Sequence, residues 1–157
     1  MIKQDEKSKR GTMGVLFVCT GNICRSPMAE IIFKNILKKN GRDDVVVASA
    51  GTHAPTNTTM MPEVAEALKA RGERVPRKPI KATQFSHFMY GAYNYIICMT
   101  RAHVDHLGNN RPNVFSLDEL AGCGDVFDPY LYPLSTYIEV CKLLQKALAV
   151  LYNKIIK

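Results

Sequence analysis

Apolar residues along this chain follow two patterns, short continuous runs and longer segments with helical spacing. The continuous runs lie at Gly14–Cys19, Asp44–Ala50, Tyr93–Met99 and Asn113–Leu117. Runs of this length, rich in β-branched residues, are typical of strands that are buried on both faces of a parallel sheet. The pattern therefore predicts four buried strands.

Segments with helical spacing separate these runs. The first is predicted to begin after an N-cap at Ser26 and to end at residues 40–41, an Asn-Gly pair. Two short helices are expected over residues 62–71 and 100–107. The longest helix is predicted over Leu134–Ile156, where six residues keep one apolar stripe: Tyr137, Cys141, Leu144, Leu148, Leu151 and Ile155.

Three segments lack such a period. Residues 73–92 are predicted to be irregular, with one helical turn near Thr83–Phe88, and residues 121–133 form a loop by their Gly, Asp and Pro content. Residues 1–12 are polar and charged, and we predict a disordered tail there. This leaves residues 13–157 as a single domain.

Strands that alternate with helices predict an α/β fold. We expect a three-layer open sheet of about four parallel strands with helices on both faces, in the manner of flavodoxin. Ligands of such sheets gather at the carboxyl ends of the strands. The turn over residues 19–26, between the first strand and the first helix, is therefore the first place to expect a functional site.

Composition narrows the functional classes. The chain has 157 residues, 46% of them hydrophobic and 22% charged, which is ordinary globular usage and argues against a repeat array or a disordered protein. Its apolar runs are far shorter than the roughly 20 residues that span a bilayer, and its polar first residues do not resemble a secretory signal. We expect no membrane partner and a cytoplasmic location.

Charge and cysteine content add two expectations. Lys and Arg number 21 against 14 Asp and Glu, a net charge of +7 that suits an anionic partner. The sequence has no zinc finger, aromatic RNA-binding stretch or basic heptad array, so nucleic acid is not expected as a partner. Five cysteines, an odd number, suggest free thiols in a reducing compartment.

Cys19 and Arg25 stand at the two ends of the predicted strand-to-helix turn. Backbone N–H groups in such a loop and the following helix N-terminus attract an anion, and an arginine can grip two phosphate oxygens. The same field favours a thiolate, which is the nucleophilic form of cysteine. The alternative is an inert buried cysteine beside a surface arginine. We favour a phosphate cradle made by Thr20, Gly21, Asn22, Ile23, Cys24, Arg25 and Ser26.

Three segments together resemble one known family. Residues 18–30, VCTGNICRSPMAE, resemble the signature of the low-molecular-weight protein tyrosine phosphatases. Ser49-Ala50-Gly51-Thr52 resembles the family's second motif, and Asp128-Pro129-Tyr130 resembles its general-acid loop. The order and spacing agree over roughly residues 13–155. The resemblance implies a phosphatase I-like fold, a phosphoprotein substrate, phosphate or another oxyanion as product or inhibitor, and a monomer that uses neither metal nor cofactor.

The resemblance also implies roles for the matching residues. Cys19 would attack phosphorus and form a phosphocysteine, Arg25 would hold the equatorial oxygens, and Asp128 would act first as acid and then as base. Ile23 and Tyr130 would line the substrate cleft. The supporting residues would be Asn22, Ser26 and Ser49.

Cys24 is a candidate for a redox role. It could form a reversible disulfide with Cys19 and protect the nucleophile from over-oxidation. The alternative is that Cys24 is a buried neighbour that fills space.

The chain departs from the family pattern at several positions. It has no histidine within Val75–Ile80, where many members carry one, and Leu131 replaces the second tyrosine of the acid loop. These features resemble the bacterial branch that includes protein-arginine phosphatases. Thr20 fits that branch, whereas Ile23 fits the tyrosine branch and offers an apolar contact to a phenyl ring. We favour phosphotyrosine as the substrate, with phosphoarginine as the alternative.

Two further features could indicate another function, arsenate reduction or metal binding. Thioredoxin-coupled arsenate reductases share this fold and loop, but they need two further cysteines close in sequence, and the chain shows no such pair. His103 and His106 have helical spacing without a neighbouring cluster of metal ligands. We expect them on a partly exposed helix face rather than at a metal.

Overall fold

The computed structural model describes residues 12–157. Four strands, β1 to β4, span Met13–Cys19, Val45–Gly51, Tyr95–Cys98 and Val114–Ser116. They form one parallel sheet in the order β2-β1-β3-β4, so the prediction of about four parallel strands is confirmed. Residues 1–11 of the predicted tail lie outside the described residues, and Thr12 is buried against the fold.

Six helices connect and follow the strands within residues 12–157. The longest, α6 (Leu134–Ile155), has the apolar stripe that its sequence predicts, with Tyr137 and Leu144 among its buried residues. The prediction of helices on both faces of the sheet is also confirmed. The helices α1 to α6 span Arg25–Lys39, Pro62–Ala70, Met89–Ala92, Arg101–Leu107, Leu117–Ala121 and Leu134–Ile155.

The sheet separates two apolar clusters. Val15 and Phe17 of β1 face the cluster that α1, α2, α5 and α6 cover, and the Phe17 ring meets Phe33 of α1 edge-on at 5.6 Å. Leu16 and Val18 face the opposite cluster, which α3 and α4 cover. Every one of these β1 side chains is fully buried, which explains why the strand reads as a continuous apolar run rather than an alternating one.

Three helices differ from the sequence prediction: one in its start, one in its position, and one that was not predicted at all. Helix α1 begins at Arg25 with Cys24 at its N-cap, so the prediction of Ser26 as the N-cap is wrong. No helix covers the turn predicted near Thr83–Phe88; the helix in this region is α3, one residue further along. Helix α5 was not predicted, although Ser116 and Glu119 form a reciprocal capping box at its start.

The two histidines of α4 have different environments. His106 is exposed, as expected of a helix face, but His103 is only 7% exposed. The prediction of a partly exposed face is therefore wrong for His103. The cause is that α4 packs its first turn against the loop that follows β1.

Strand order places one crevice at the carboxyl edge of the sheet. The chain leaves β1 for β2 on one side and later returns to β3 on the other side of β1. Loops that leave neighbouring strands in opposite directions open a crevice at this switch point. The loop after β1 lies there. Within residues 12–157, no helix combines the length and apolar character needed to cross a bilayer.

Candidate active site

Cys19 ends β1, and two polar groups point at its sulfur. The Ser26 hydroxyl lies 3.0 Å from Cys19 Sγ, and the Asn22 backbone N–H donates to the same sulfur over 3.3 Å. Ser26 Oγ already accepts a hydrogen bond from the Asn22 side-chain amide at 2.8 Å, and its own proton faces the sulfur at 3.0 Å and the more distant Ala50 carbonyl at 3.4 Å. Both contacts stabilise negative charge on Cys19.

The loop keeps its shape through Asn22. Its φ of 56° lies in the left-handed region, where asparagine is tolerated better than most residues. Its side-chain amide donates to Ser26 and, over 2.9 Å, to Ser49 Oγ, while its side-chain carbonyl accepts from the Thr83 N–H at 2.8 Å. Asn22 is fully buried, and these three bonds satisfy its side chain.

Glu30 completes this network, although no role was predicted for it from the sequence. The Ser49 hydroxyl donates to Glu30 Oε1 over 2.7 Å, which leaves Ser49 Oγ free to accept from Asn22. Lys34, one helical turn later, pairs with the other carboxylate oxygen of Glu30. A hydrogen-bonded series therefore runs from a buried carboxylate on α1 to the cysteine sulfur. Its signal in the sequence was the spacing of Glu30 and Lys34, four residues apart on a helix.

The end of β2 holds the other side of the loop. The N–H of Thr52 donates to the Cys19 carbonyl and that of His53 to the Thr20 carbonyl, over 2.9 and 2.8 Å. A Cβ at Gly51 would lie 2.5 Å from the Thr20 carbonyl oxygen. Only glycine permits this approach, which explains the residue's place in the second motif.

Arg25 begins α1 and is 5% exposed. Its Nη1 donates to the Val126 carbonyl over 3.1 Å, and its Nη2 lies 3.4 Å from Thr20 Oγ1 and 3.5 Å from Asp128 Oδ2. Its Nε is buried without a hydrogen-bond partner among the described residues. A buried donor of this kind is costly unless an acceptor reaches it, and a phosphate oxygen is a suitable acceptor.

Asp128 lies in the loop between α5 and α6. Its side chain is 52% exposed, and its Oδ1 accepts from the Tyr130 N–H over 3.1 Å. Its other oxygen faces Arg25. The carboxyl group is thus anchored on one side and open to solvent and to a ligand on the other, as a proton donor and acceptor must be.

A cleft of about 280 Å³ joins these groups. Cys19, Arg25 and Asp128 all line it, so the structure brings the three predicted catalytic residues together. Of the other predicted positions, Thr20, Gly21, Ile23, Cys24 and Tyr130 also line it. Asn22, Ser26 and Ser49 are buried and do not line it. Two further lining residues, His53 and Pro55, were not predicted; they reach the cleft from the segment after β2.

Burial raises the pKa of the other four cysteines, Cys24, Cys98, Cys123 and Cys141. Burial raises the pKa of Cys24 to about 11, although Tyr137 Oη contacts its sulfur at 3.5 Å. Burial also raises the pKa of Cys98 to about 12 and that of Cys141 to about 11. All five cysteines are unpaired. Within the described chain, no three or more His, Cys, Asp or Glu side chains gather where they could hold a metal ion.

Comparison with known proteins gives a consistent result. Residues 14–157 match the family model of the low molecular weight phosphotyrosine protein phosphatases. The protein-arginine-phosphatase of Bacillus subtilis is 33% identical over 92% of this chain and 98% of its own length. The low molecular weight protein-tyrosine-phosphatase PtpB of Staphylococcus haemolyticus is 35% identical over 80% of this chain and 87% of its own.

A solved structure shows the same architecture. The low molecular weight protein tyrosine phosphatase of T. tengcongensis superposes with a TM-score of 0.82. It is 34% identical, and the match covers 92% of this chain and the whole of that one.

Proposed function

Because the chain belongs to the low molecular weight phosphotyrosine protein phosphatase family, we propose that it hydrolyses phosphotyrosine in protein substrates through a phosphocysteine at Cys19. One observation carries the proposal: a cysteine, an arginine and an exposed carboxyl group line a single cleft of about 280 Å³. This is the combination that metal-independent phosphoryl transfer to sulfur requires.

In the first step, Cys19 Sγ attacks phosphorus as the bond to the phenolic oxygen breaks. Negative charge in the transition state lies on the three equatorial oxygens. Arg25 and the loop N–H groups of residues 20–26 bind these oxygens, and the leaving oxygen takes a proton from Asp128. The side chains around Cys19 support this step, because the Ser26 hydroxyl stabilises the attacking thiolate.

In the second step, a water molecule attacks phosphorus and the sulfur leaves. Asp128, now a carboxylate, takes the proton of that water. Inorganic phosphate departs and Cys19 returns to its thiolate form. The 52% exposure of the Asp128 side chain supports this part of the proposal, because water must reach the carboxylate.

The walls of the cleft favour an aromatic substrate. Ile23, Pro55 and Tyr130 surround the catalytic groups and offer apolar surface to a phenyl ring. Phosphotyrosine, whose ring places phosphorus well away from the substrate backbone, also suits a cysteine that is only 2% exposed.

Phosphoarginine is the second candidate. The observation that favours it is the 33% identity to a protein-arginine-phosphatase that this chain covers almost completely. Arsenate reduction has less support. Of the other cysteines that could relay a disulfide, Cys98 and Cys141 are fully buried in β3 and α6.

The proposal also covers the oligomeric state of the protein, its cellular location and its ligands. The cleft is complete within one chain, which supports a monomer, and five unpaired cysteines suit the reducing cytoplasm. Phosphate and related oxyanions should bind as product or inhibitors. Neither nucleic acid nor a membrane is proposed as a partner.

The test compares initial rates on two peptides of the same sequence, one with phosphotyrosine and one with phosphoarginine, in the presence of a chelator. We expect faster turnover of phosphotyrosine, and no phosphate release by Cys19→Ser although it folds normally. A higher kcat/KM for phosphoarginine would reverse the substrate assignment. Turnover of neither peptide would reject the function.

A further inference from the structure

His103 contacts the catalytic loop from outside the matched motifs. It lies in the first turn of α4 and is buried, and its Nε2 is 2.8 Å from Thr20 Oγ1. Thr20 directly follows the nucleophile and lines the cleft. No other side chain of α4 hydrogen-bonds to the loop over residues 20–24 in the described structure. His103 therefore connects α4, the helix that follows β3, to the phosphate-binding loop.

The direction of this hydrogen bond follows from the other ring nitrogen. The Thr100 backbone N–H donates to His103 Nδ1 over 3.2 Å, so Nδ1 carries no proton. The Thr100 hydroxyl lies 2.8 Å from the same nitrogen and donates its proton to it, while its oxygen accepts from the backbone N–H of His103 as the helix cap. Nδ1 is thus an acceptor in a neutral ring, and the proton is on Nε2. His103 Nε2–H donates to Thr20 Oγ1.

Thr20 Oγ1 consequently receives donors from two directions. One is His103 and the other is Arg25 Nη2, at 3.4 Å. With both directed at the oxygen, the hydroxyl proton of Thr20 points elsewhere, and the side chain is exposed toward the cleft. A phosphate oxygen bound beside Cys19 is a suitable acceptor for that proton.

We propose that His103 is a positioning residue for phosphoryl transfer: its Nε2–H fixes Thr20 so that the Thr20 hydroxyl steadies Arg25 and donates to the phosphoryl group. The inference rests on the proposed function. Burial together with the Arg25 charge lowers the pKa of His103 to about 4, which is consistent with the neutral ring that the hydrogen bonds require.

A matched pair of variants isolates the Nε2 donor. His103→Leu and His103→Gln both remove the Nδ1 acceptor that caps α4, but a glutamine amide can still donate near the position of Nε2. We expect kcat/KM to fall about tenfold in His103→Leu and less than threefold in His103→Gln. The inhibition constant of vanadate, which mimics the transition state, should rise in parallel. His87→Leu is the control. His87 is exposed, and among the described aromatic rings it contacts only that of Tyr90.

Thr20 supplies the second half of the test. Thr20→Val should reproduce the loss of His103→Leu, and the double variant should lose no more than either single one. Additive losses, or full activity of Thr20→Val, would overturn the proposal. Equal rates for His103→Leu and His103→Gln would show that His103 only supports the helix.

One measurement needs neither turnover nor a variant. Long-range ¹H–¹⁵N NMR spectra of the wild-type protein at pH 7 should show His103 as the neutral tautomer protonated at Nε2. A proton on Nδ1 would overturn the proposal even in a fully active phosphatase. If His103 has the expected tautomer but the protein hydrolyses neither peptide, the proposed function is rejected. A comparison of vanadate binding to the wild type and to Thr20→Val would then decide whether Thr20 holds an oxyanion.

Discussion

At the scale of single residues, the cleft couples one buried cation to one exposed acid. Arg25 is almost fully buried, and Asp128, its ion-pair partner at 3.5 Å, has a half-exposed side chain. An exposed acid can exchange its proton with water, whereas a buried arginine keeps its charge and its place. Under the proposed mechanism the two residues have separate roles, with charge stabilisation at Arg25 and proton transfer at Asp128.

The acid role of Asp128 predicts a dependence on the leaving group. Asp128→Asn should lower kcat about 100-fold for phenyl phosphate, whose leaving group needs a proton, and far less for a nitrophenyl phosphate. Steady-state rates over a series of aryl phosphates measure this. Asp125→Asn serves as the control, because Asp125 accepts from the Arg101 N–H outside the cleft. Equal slowing of all esters would remove Asp128 from the acid role.

Cys24 gives a second prediction at this scale. Peroxide converts Cys19 to a sulfenic acid, and attack by the Cys24 sulfur would form a disulfide and release water. We expect thiol to restore most of the wild-type activity after such exposure, and to restore much less in Cys24→Ser. Cys123→Ser, at a half-buried cysteine of another loop, is the control. Equal recovery of Cys24→Ser and wild type would leave Cys24 as a packing residue.

At the scale of elements, the catalytic loop is held by its neighbours rather than by itself. Ser49 of β2 and Glu30 of α1 fix Asn22. The segment directly after β2 donates two backbone N–H groups to the carbonyls of Cys19 and Thr20 and supplies His53 to the cleft. Such outer contacts orient a site without touching substrate. Damage to β2 should thus impair catalysis.

Ser49→Ala tests this dependence. The change removes the acceptor for Asn22 and leaves Glu30 without its hydroxyl donor, both in a buried setting. We expect kcat/KM to fall roughly tenfold and the free energy of unfolding to fall by about 1–2 kcal/mol. Rates and urea denaturation measure the two effects, with Ser135→Ala, an exposed serine of α6, as the control. Unchanged kcat/KM would separate Ser49 from the site.

Elements differ in how well the sequence predicts them. The strands and the long helices α1 and α6 were predicted because burial on both faces and helical spacing leave strong patterns in the chain. Helices α3 and α5 have only four and five residues, too few for a period to show. The Ser116–Glu119 capping box was the one local signal for α5.

The same contrast applies to the site. The meeting of Cys19, Arg25 and Asp128 in one cleft could be predicted because all three lie in recognisable motifs. His53 and Pro55, which line the cleft, and His103, which contacts Thr20, could not, since tertiary packing brings them to the loop across 34 to 84 residues of chain from Cys19. Ser26 was predicted as a helix cap, but the sulfur of Cys19 competes for its hydroxyl.

At the scale of the whole molecule, the fold holds a histidine in its neutral form. Because the pKa of His103 is lowered to about 4 in the folded state, from about 6.5 in an unfolded chain, the unfolded state binds the extra proton first. The stability that a neutral His103 contributes is complete above about pH 6.5. It is lost as the pH falls toward 4.

This linkage predicts how wild type and His103→Gln diverge with pH. The free energy of unfolding of wild type minus that of His103→Gln should fall by roughly 3 kcal/mol between pH 7 and pH 4, because glutamine does not titrate. Urea denaturation of both proteins across this range measures it. A difference that stays constant would mean that His103 keeps an ordinary affinity for protons when folded.

The contact between Arg25 and Asp128 has a consequence for inhibition by the product, orthophosphate. Free orthophosphate is abundant in living cells, and a strongly cationic cup would stay occupied by it. Here the Asp128 carboxylate lies 3.5 Å from the Arg25 guanidinium, so under the proposed mechanism it competes with bound orthophosphate for that cation. Removing the charge of Asp128 should therefore make orthophosphate a tighter inhibitor.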